Sequence, residues 1–201
     1  MASSTTAVIR TLASEAGSIP CPEEGEAFYG QDGTYAGAAP SYADNGDGTV
    51  TDLVTGLMWQ QDPGEKVTWA EASAGAESST LAGYDDWRLP TIDELYSLID
   101  FGGTDPSACQ TGDGCGAIPF IDDEVFAFSY GDPDDGDRLI DSQWATSTIS
   151  AGTTMGGATT MFGVNFADGR IKGYPVGSVG PDGSEKEYFV IYVRGGEGYG
   201  E

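Results

Sequence analysis

The chain has 201 residues, enough for one domain of ordinary size with a substantial core. Its 33 acidic residues stand against 8 basic ones and no His, a formal charge of −25. That balance argues against nucleic acid or an anionic membrane as partner, since both need a positive footprint, and it leaves a solubility device or a cation-binding role as readings of the acidity.

Residues 1–20 are rich in Ala, Ser and Thr and read as an arm or linker, while Cys21 to Pro40, with Phe28, Tyr29 and Tyr35, reads as irregular structure along the domain surface. The opening Met1-Ala2-Ser3-Ser4-Thr5-Thr6 lacks a basic segment followed by an apolar core, and no apolar run approaches the length of a membrane span. Tyr42 to Gly48 is a turn cluster in which Gly supplies positive φ and Asp/Asn make Asx turns. Val50 and Leu57-Met58-Trp59 then form a hairpin closed by Leu53-Val54-Thr55-Gly56. The Asp-Asn-Gly-Asp-Gly run fails as an EF-hand loop, because Ala43 would take the first ligand position and Val54 the last. It is either a purely structural turn or a different calcium site built from Asp44, Asn45, Asp47 and Asp52.

Thr68 with Glu71, and Thr91 with Glu94, are capping boxes, so two short helices are expected at about 68–79 and 91–100. Gly75 weakens the first. In the second, Ile92, Leu95, Leu98 and Ile99 recur at helical spacing and mark a buried face. Trp87-Arg88 just upstream reads as a buried unit that pins the loop beneath that helix, with a ligand-facing Trp as the alternative. From Phe101 to Ser142 no regular element is expected. The segment holds Ile118, Phe120, Ile121, Phe126 and Phe128, which order it, and acids from Asp122 to Asp137 that either hold calcium or form a solvated face.

Cys109 and Cys115 frame a short loop and are candidates for a local disulfide, which favours an exported protein; Cys21 is left without a partner. With no His and no CxxC pair, zinc is not expected. The last third reads as β: Trp144 to Ile149, Thr160 to Phe166, Arg170 to Tyr174 and Tyr188 to Arg194, with a hairpin turn at Ala167-Asp168-Gly169 and a loop at Val176–Lys186. Hairpin, two helices, long ordered loop and a terminal antiparallel meander make an α+β domain.

Several of these words form a recognisable set: Asn45-Gly46-Asp47-Gly48-Thr49-Val50-Thr51-Asp52, Thr55-Gly56-Leu57-Met58-Trp59, Trp69-Ala70-Glu71-Ala72, Asp86-Trp87-Arg88-Leu89-Pro90-Thr91, Asn165-Phe166-Ala167-Asp168-Gly169-Arg170 and Val193-Arg194-Gly195. From about Tyr42 to Gly196 the chain resembles the Lcl C-terminal domain family. The resemblance implies a C-type-lectin-like fold, related to that of formylglycine-generating enzymes, in a bacterial surface or exported protein. It also implies tandem copies, with residues 197–201 as a tail or the lead-in to a further domain. A single domain is thus expected over 21–196.

The resemblance points to a non-catalytic binding or adhesion module for a glycan or surface protein; the family's collagen-like adhesin binds sulfated polysaccharide as a trimer. A charge of −25 opposes a sulfated ligand, and the lectin Glu-Pro-Asn and Gln-Pro-Asp motifs are absent. The candidate ligand-binding residues are Trp144, Asn165, Asp168, Arg170, Lys172 and Tyr174. Each has a structural alternative, Trp144 in the core, Asp168 in the turn and Arg170 in a surface salt bridge. Enzyme chemistry finds no His base, nucleophile elbow or phosphate loop, and no cysteine follows Cys115 to supply the late reactive pair of the enzymatic relatives. A repeat of an extracellular assembly, with homo-oligomers or tandem neighbours as partners and calcium as a stiffening ion, is the other reading.

Overall fold

A computed structural model describes residues 23–26, 29, 39–107, 116–154, 157–177 and 184–196. The three cysteines, and with them the expected Cys109–Cys115 disulfide, lie outside the described residues. The chain divides into two compact units, Met1–Ala39 and Pro40–Glu201. In the first, the Glu26 N–H donates to the Glu23 carbonyl (3.0 Å).

The second unit is α+β. Strands β1 (Tyr42–Asp44), β2 (Thr49–Asp52) and β3 (Met58–Gln60) form an antiparallel meander. The expected turn cluster at 42–48 is therefore narrower, because Tyr42–Asp44 pairs with Val50–Asp52 and only Asn45–Gly48 turn. β4 (Val67–Thr68) leads into helix α1 (Trp69–Ser78), whose Thr68/Glu71 capping box is formed. Helix α2 (Ile92–Tyr96) has its Thr91/Glu94 box too, but it lasts five residues rather than running to 100. Leu98 and Ile99 still enter the core, from a turn that follows the helix. Apolar spacing marked the buried face without fixing where the helix ends.

Glu94 serves two roles. One carboxylate oxygen accepts the Thr91 N–H (2.8 Å) and an Arg88 N–H (2.7 Å), and the other accepts a second Arg88 N–H (2.6 Å). Burial alone would raise this carboxyl; the Arg88 guanidinium and the Thr91 amide outweigh it and hold the group below the usual carboxylate range. Arg88 also donates to the Gly195 carbonyl (3.1 Å), and Trp87 is buried with its indole N–H on the Leu81 carbonyl (3.1 Å). The pair thus pins the loop from beneath.

The expected terminal meander is split. β5 (Gln143–Trp144), β6 (Thr159–Asn165) and β7 (Arg170–Val176) make one antiparallel sheet. β8 (Glu187–Tyr188) instead pairs with β4, and β9 (Val193–Arg194) crosses to the N-terminal meander beside β3. Non-local pairing of this kind leaves no trace in local hydrophobic alternation. One face of the β5–β6–β7 sheet, with Trp144 and Val164, packs in a core with Val50, Trp59, Leu95, Phe126, Phe166 and Val193. The other face, with Met161 and Tyr174, packs against Ala72, Leu89, Tyr188 and Val190.

In the long segment after α2, one 3-10 turn at Pro133–Asp135 is the regular structure among the described residues. It is anchored as expected by buried Ile121 and Phe126 and half-buried Phe120, but Ile118 is exposed. Gly103 and Gly169 flank the Phe120 ring: a side-chain carbon on either would come within 2.5 Å of it.

Candidate functional site

The register of β5–β6–β7 sorts the predicted ligand residues. Gln143 pairs with Asn165, Asn165 with Arg170, Gly163 with Lys172 and Met161 with Tyr174. Cross-strand partners share a face and alternate residues share it along a strand. Asn165, Arg170, Lys172 and Tyr174 therefore gather on one face, and Asp168 joins them from the turn between β6 and β7. Trp144 pairs with Val164 and is fully buried on the opposite face, stacked edge-on against Phe166 (5.1 Å), so it has no ring face to offer a ligand.

The turn forms because Asn165, not Asp168, caps it. The Asn165 side-chain carbonyl accepts the Ala167 N–H (2.9 Å), its backbone carbonyl accepts the Gly169 N–H (2.8 Å), and Gly169 supplies φ of +68°. The Asn165 amide also donates to the Ile140 carbonyl (2.7 Å), which holds the 138–141 loop at the site. The Asp168 carboxylate is left for the cations: its side chain is fully buried, and one oxygen accepts from Arg170 (3.0 Å) and from Lys172. Arg170 extends its second nitrogen to Asp105 (2.6 Å), tying the long loop to the sheet. Burial would raise Asp105, but Ser107 and then Arg170 more than compensate and hold it below the usual range.

Gln143, Arg138, Asp141 and Asp105 complete the group and were missed from sequence. Period-two alternation placed Gln143 opposite Trp144, which is a usable signal; Asp105 lies 65 residues from Arg170 and has none. The Gln143 amide donates to Asp141 (3.0 Å), which also accepts from the Arg138 guanidinium (2.6 and 3.2 Å). Against a burial effect of opposite sign, these bonds push Asp141 well below the normal carboxylate range.

Five buried side-chain polar atoms of the described residues have no hydrogen-bond partner, and three belong here: Asp168 Oδ1, Gln143 Oε1 and the Tyr174 hydroxyl. Gly163 lets the Tyr174 ring lie over β6, since a side-chain carbon there would meet the ring at 2.9 Å and the Trp144 carbonyl at 2.4 Å. Burial first, and the Asp168 charge second, push the Tyr174 hydroxyl well above the usual phenol value; Asn165 opposes the shift without reaching hydrogen-bond geometry. Arg170 and Lys172, which bind the other Asp168 oxygen, have side chains 51% and 33% exposed. Three cations and three carboxylates (Arg138, Arg170, Lys172; Asp105, Asp141, Asp168) balance, which makes the site a charge-neutral island on an acidic body.

The proposed calcium ligands do not assemble. The Asp44 carboxylate accepts the Gly46 N–H (2.8 Å), that of Asp47 the Thr49 hydroxyl (2.6 Å) and that of Asp52 the Val54 N–H (2.8 Å) and Thr55 hydroxyl (2.7 Å). Asn45 donates to Thr49 and Thr51. Each side chain serves its own turn, and among the described residues no group of three acidic or Cys side chains could hold a metal ion, the 122–137 segment included.

Short helices set between small antiparallel sheets, with a polar cluster at one sheet end, define an α+β domain without a membrane-spanning helix among the described residues. The sequence model of the Lcl C-terminal domain family matches residues 48–194, and the chain belongs to that family. No curated protein matches the chain, and no solved structure does.

Proposed function

We propose that this domain is a non-catalytic, extracellular binding or adhesion module with a C-type-lectin-like scaffold, and that it meets a glycan or protein ligand at the Asp168–Arg170–Lys172 end of the β5–β6–β7 sheet. The observation that carries the proposal is the concentration there of three buried, unpaired oxygens. Unpaired buried oxygens are costly, and native proteins hold few of them. Two are acceptors and the third, a hydroxyl, can also donate, so a ligand with hydroxyl donors would complete them once the half-exposed Arg170 and Lys172 swing aside. Extracellular placement rests on the family resemblance. Calcium is not required by this proposal.

The test is an array of neutral and sulfated glycans probed with the wild-type chain and with Asp168→Asn, with and without chelator. Binding that survives chelator and is lost in the variant is expected. A blank array sinks the glycan reading and leaves a protein ligand, and equal binding by the two proteins sinks the assignment of the site to Asp168.

The alternative, a repeat or subunit of an extracellular assembly, is favoured by one feature. β7 is a sheet edge, and Ile171 on it and Phe162 on the adjoining strand are exposed apolar side chains. Mass that rises with concentration, and that falls back in Ile171→Lys, would support it.

A further inference from the structure

Among the described residues, a cation, an aromatic ring and a carboxylate come together twice. The Arg194 guanidinium lies over the Tyr84 ring (3.6 Å to its centroid) and pairs with Asp86 (2.6 and 3.1 Å). The Lys66 ammonium lies over the Phe189 ring (5.3 Å) and pairs with Asp137 (3.2 Å). A third aromatic and carboxylate set has no cation. Phe101 is 63% exposed and Tyr96 42% exposed, and their rings meet edge to face at 6.1 Å and 72°. Asp93, one helical turn before Tyr96 and exposed on α2, accepts no side-chain hydrogen bond or ion pair among the described residues. No Lys or Arg of the described residues lies over either ring.

We infer that the Tyr96–Phe101 pair with Asp93 is a docking site for an arginine or lysine side chain of a basic protein segment. Ring faces attract cations through their quadrupole, Asp93 supplies the counter-charge, and a body of charge −25 draws basic segments in by long-range attraction. A neutral apolar partner gains nothing from Asp93, and an acidic partner is repelled. The site is separate from the polar cluster at Asp168 and does not rest on it.

The probe is an acetylated, amidated tetra-arginine peptide, titrated into the full chain at physiological salt, where attraction between well-separated exposed charges is largely screened. The Tyr96 and Phe101 ring resonances should shift. Tyr96→Ala with Phe101→Ala, which removes no charge, should weaken binding about fivefold. Asp123→Asn with Glu124→Gln, which removes two charges elsewhere, should change it less than about twofold. The inference is overturned if the aromatic double variant binds within twofold of wild type, if the charge variant loses as much, or if maltotetraose moves the rings and the peptide does not. Should the aromatic variant fail to fold, the wild-type ring shifts decide: rings that do not move overturn it.

Discussion

Asp168→Asn separates the two roles assigned to Asp168. The carboxylate is wholly buried and one oxygen takes two charge-assisted hydrogen bonds, from Arg170 and Lys172, while the other takes none. A hydrogen bond to a charged group contributes roughly 1.5–3 kcal/mol when intact. Both cations, however, are partly in water and regain hydration when released, and Arg170 keeps Asp105, so about 1 kcal/mol for each bond is appropriate. The sum, about 2 kcal/mol, corresponds to a fall in Tm of roughly 4–8 °C for a domain of this size. Asparagine also replaces one carboxylate oxygen with an NH2 group, which cannot accept from a ligand hydroxyl, and removes the charge that a donor would meet. The variant should therefore fold, melt a few degrees lower by calorimetry, and bind no glycan. A Tm within about 1 °C of wild type would show that the cations contribute nothing through Asp168, and unchanged binding would show that the unpaired oxygen is irrelevant to the ligand.

The pH dependence of stability should follow Glu94. Its folded-state pKa is depressed, so its contribution is complete above the unfolded carboxylate value of about 4.3 and is lost as pH falls through the folded value; Glu94→Gln should flatten the urea midpoint between pH ~7 and ~3. A variant curve as steep as wild type would assign the acid sensitivity to other carboxylates. Gly103→Ala should cost about 1–3 kcal/mol by overpacking, because Gly169 blocks retreat of the Phe120 ring, and shrinking the ring with Phe120→Leu should recover part of that in a double-mutant cycle. Additive losses in that cycle would refute the wedge. Millimolar calcium should raise Tm by less than about 1 °C, since Asp44, Asp47 and Asp52 are each bound to their own turns; a rise of several degrees would mean that a calcium site forms after all.

What the sequence determined by itself is local. Both capping boxes, the hairpin around Thr55-Gly56, the Asp-Gly turn at 168–169 and the aromatics that anchor the long segment depend on residues a few positions apart, and all appear where the residues place them. The family was legible for the same reason, since its words are short and contiguous. Tertiary structure alone decided the rest. α2 stops after Tyr96 while Leu98 and Ile99 stay buried, because core packing can recruit a turn as readily as a helix. β8 and β9 leave the last meander for partners more than a hundred residues earlier, pairings paid for by long-range burial that no local pattern records. Of the six ligand candidates, strand alternation would have separated Trp144 from the others once the β5–β6 register was known, but the register came from the fold. Asp105 meets Arg170, and the Phe120 ring packs close to both Gly103 and Gly169, contacts of shape and charge between segments that are remote in the chain.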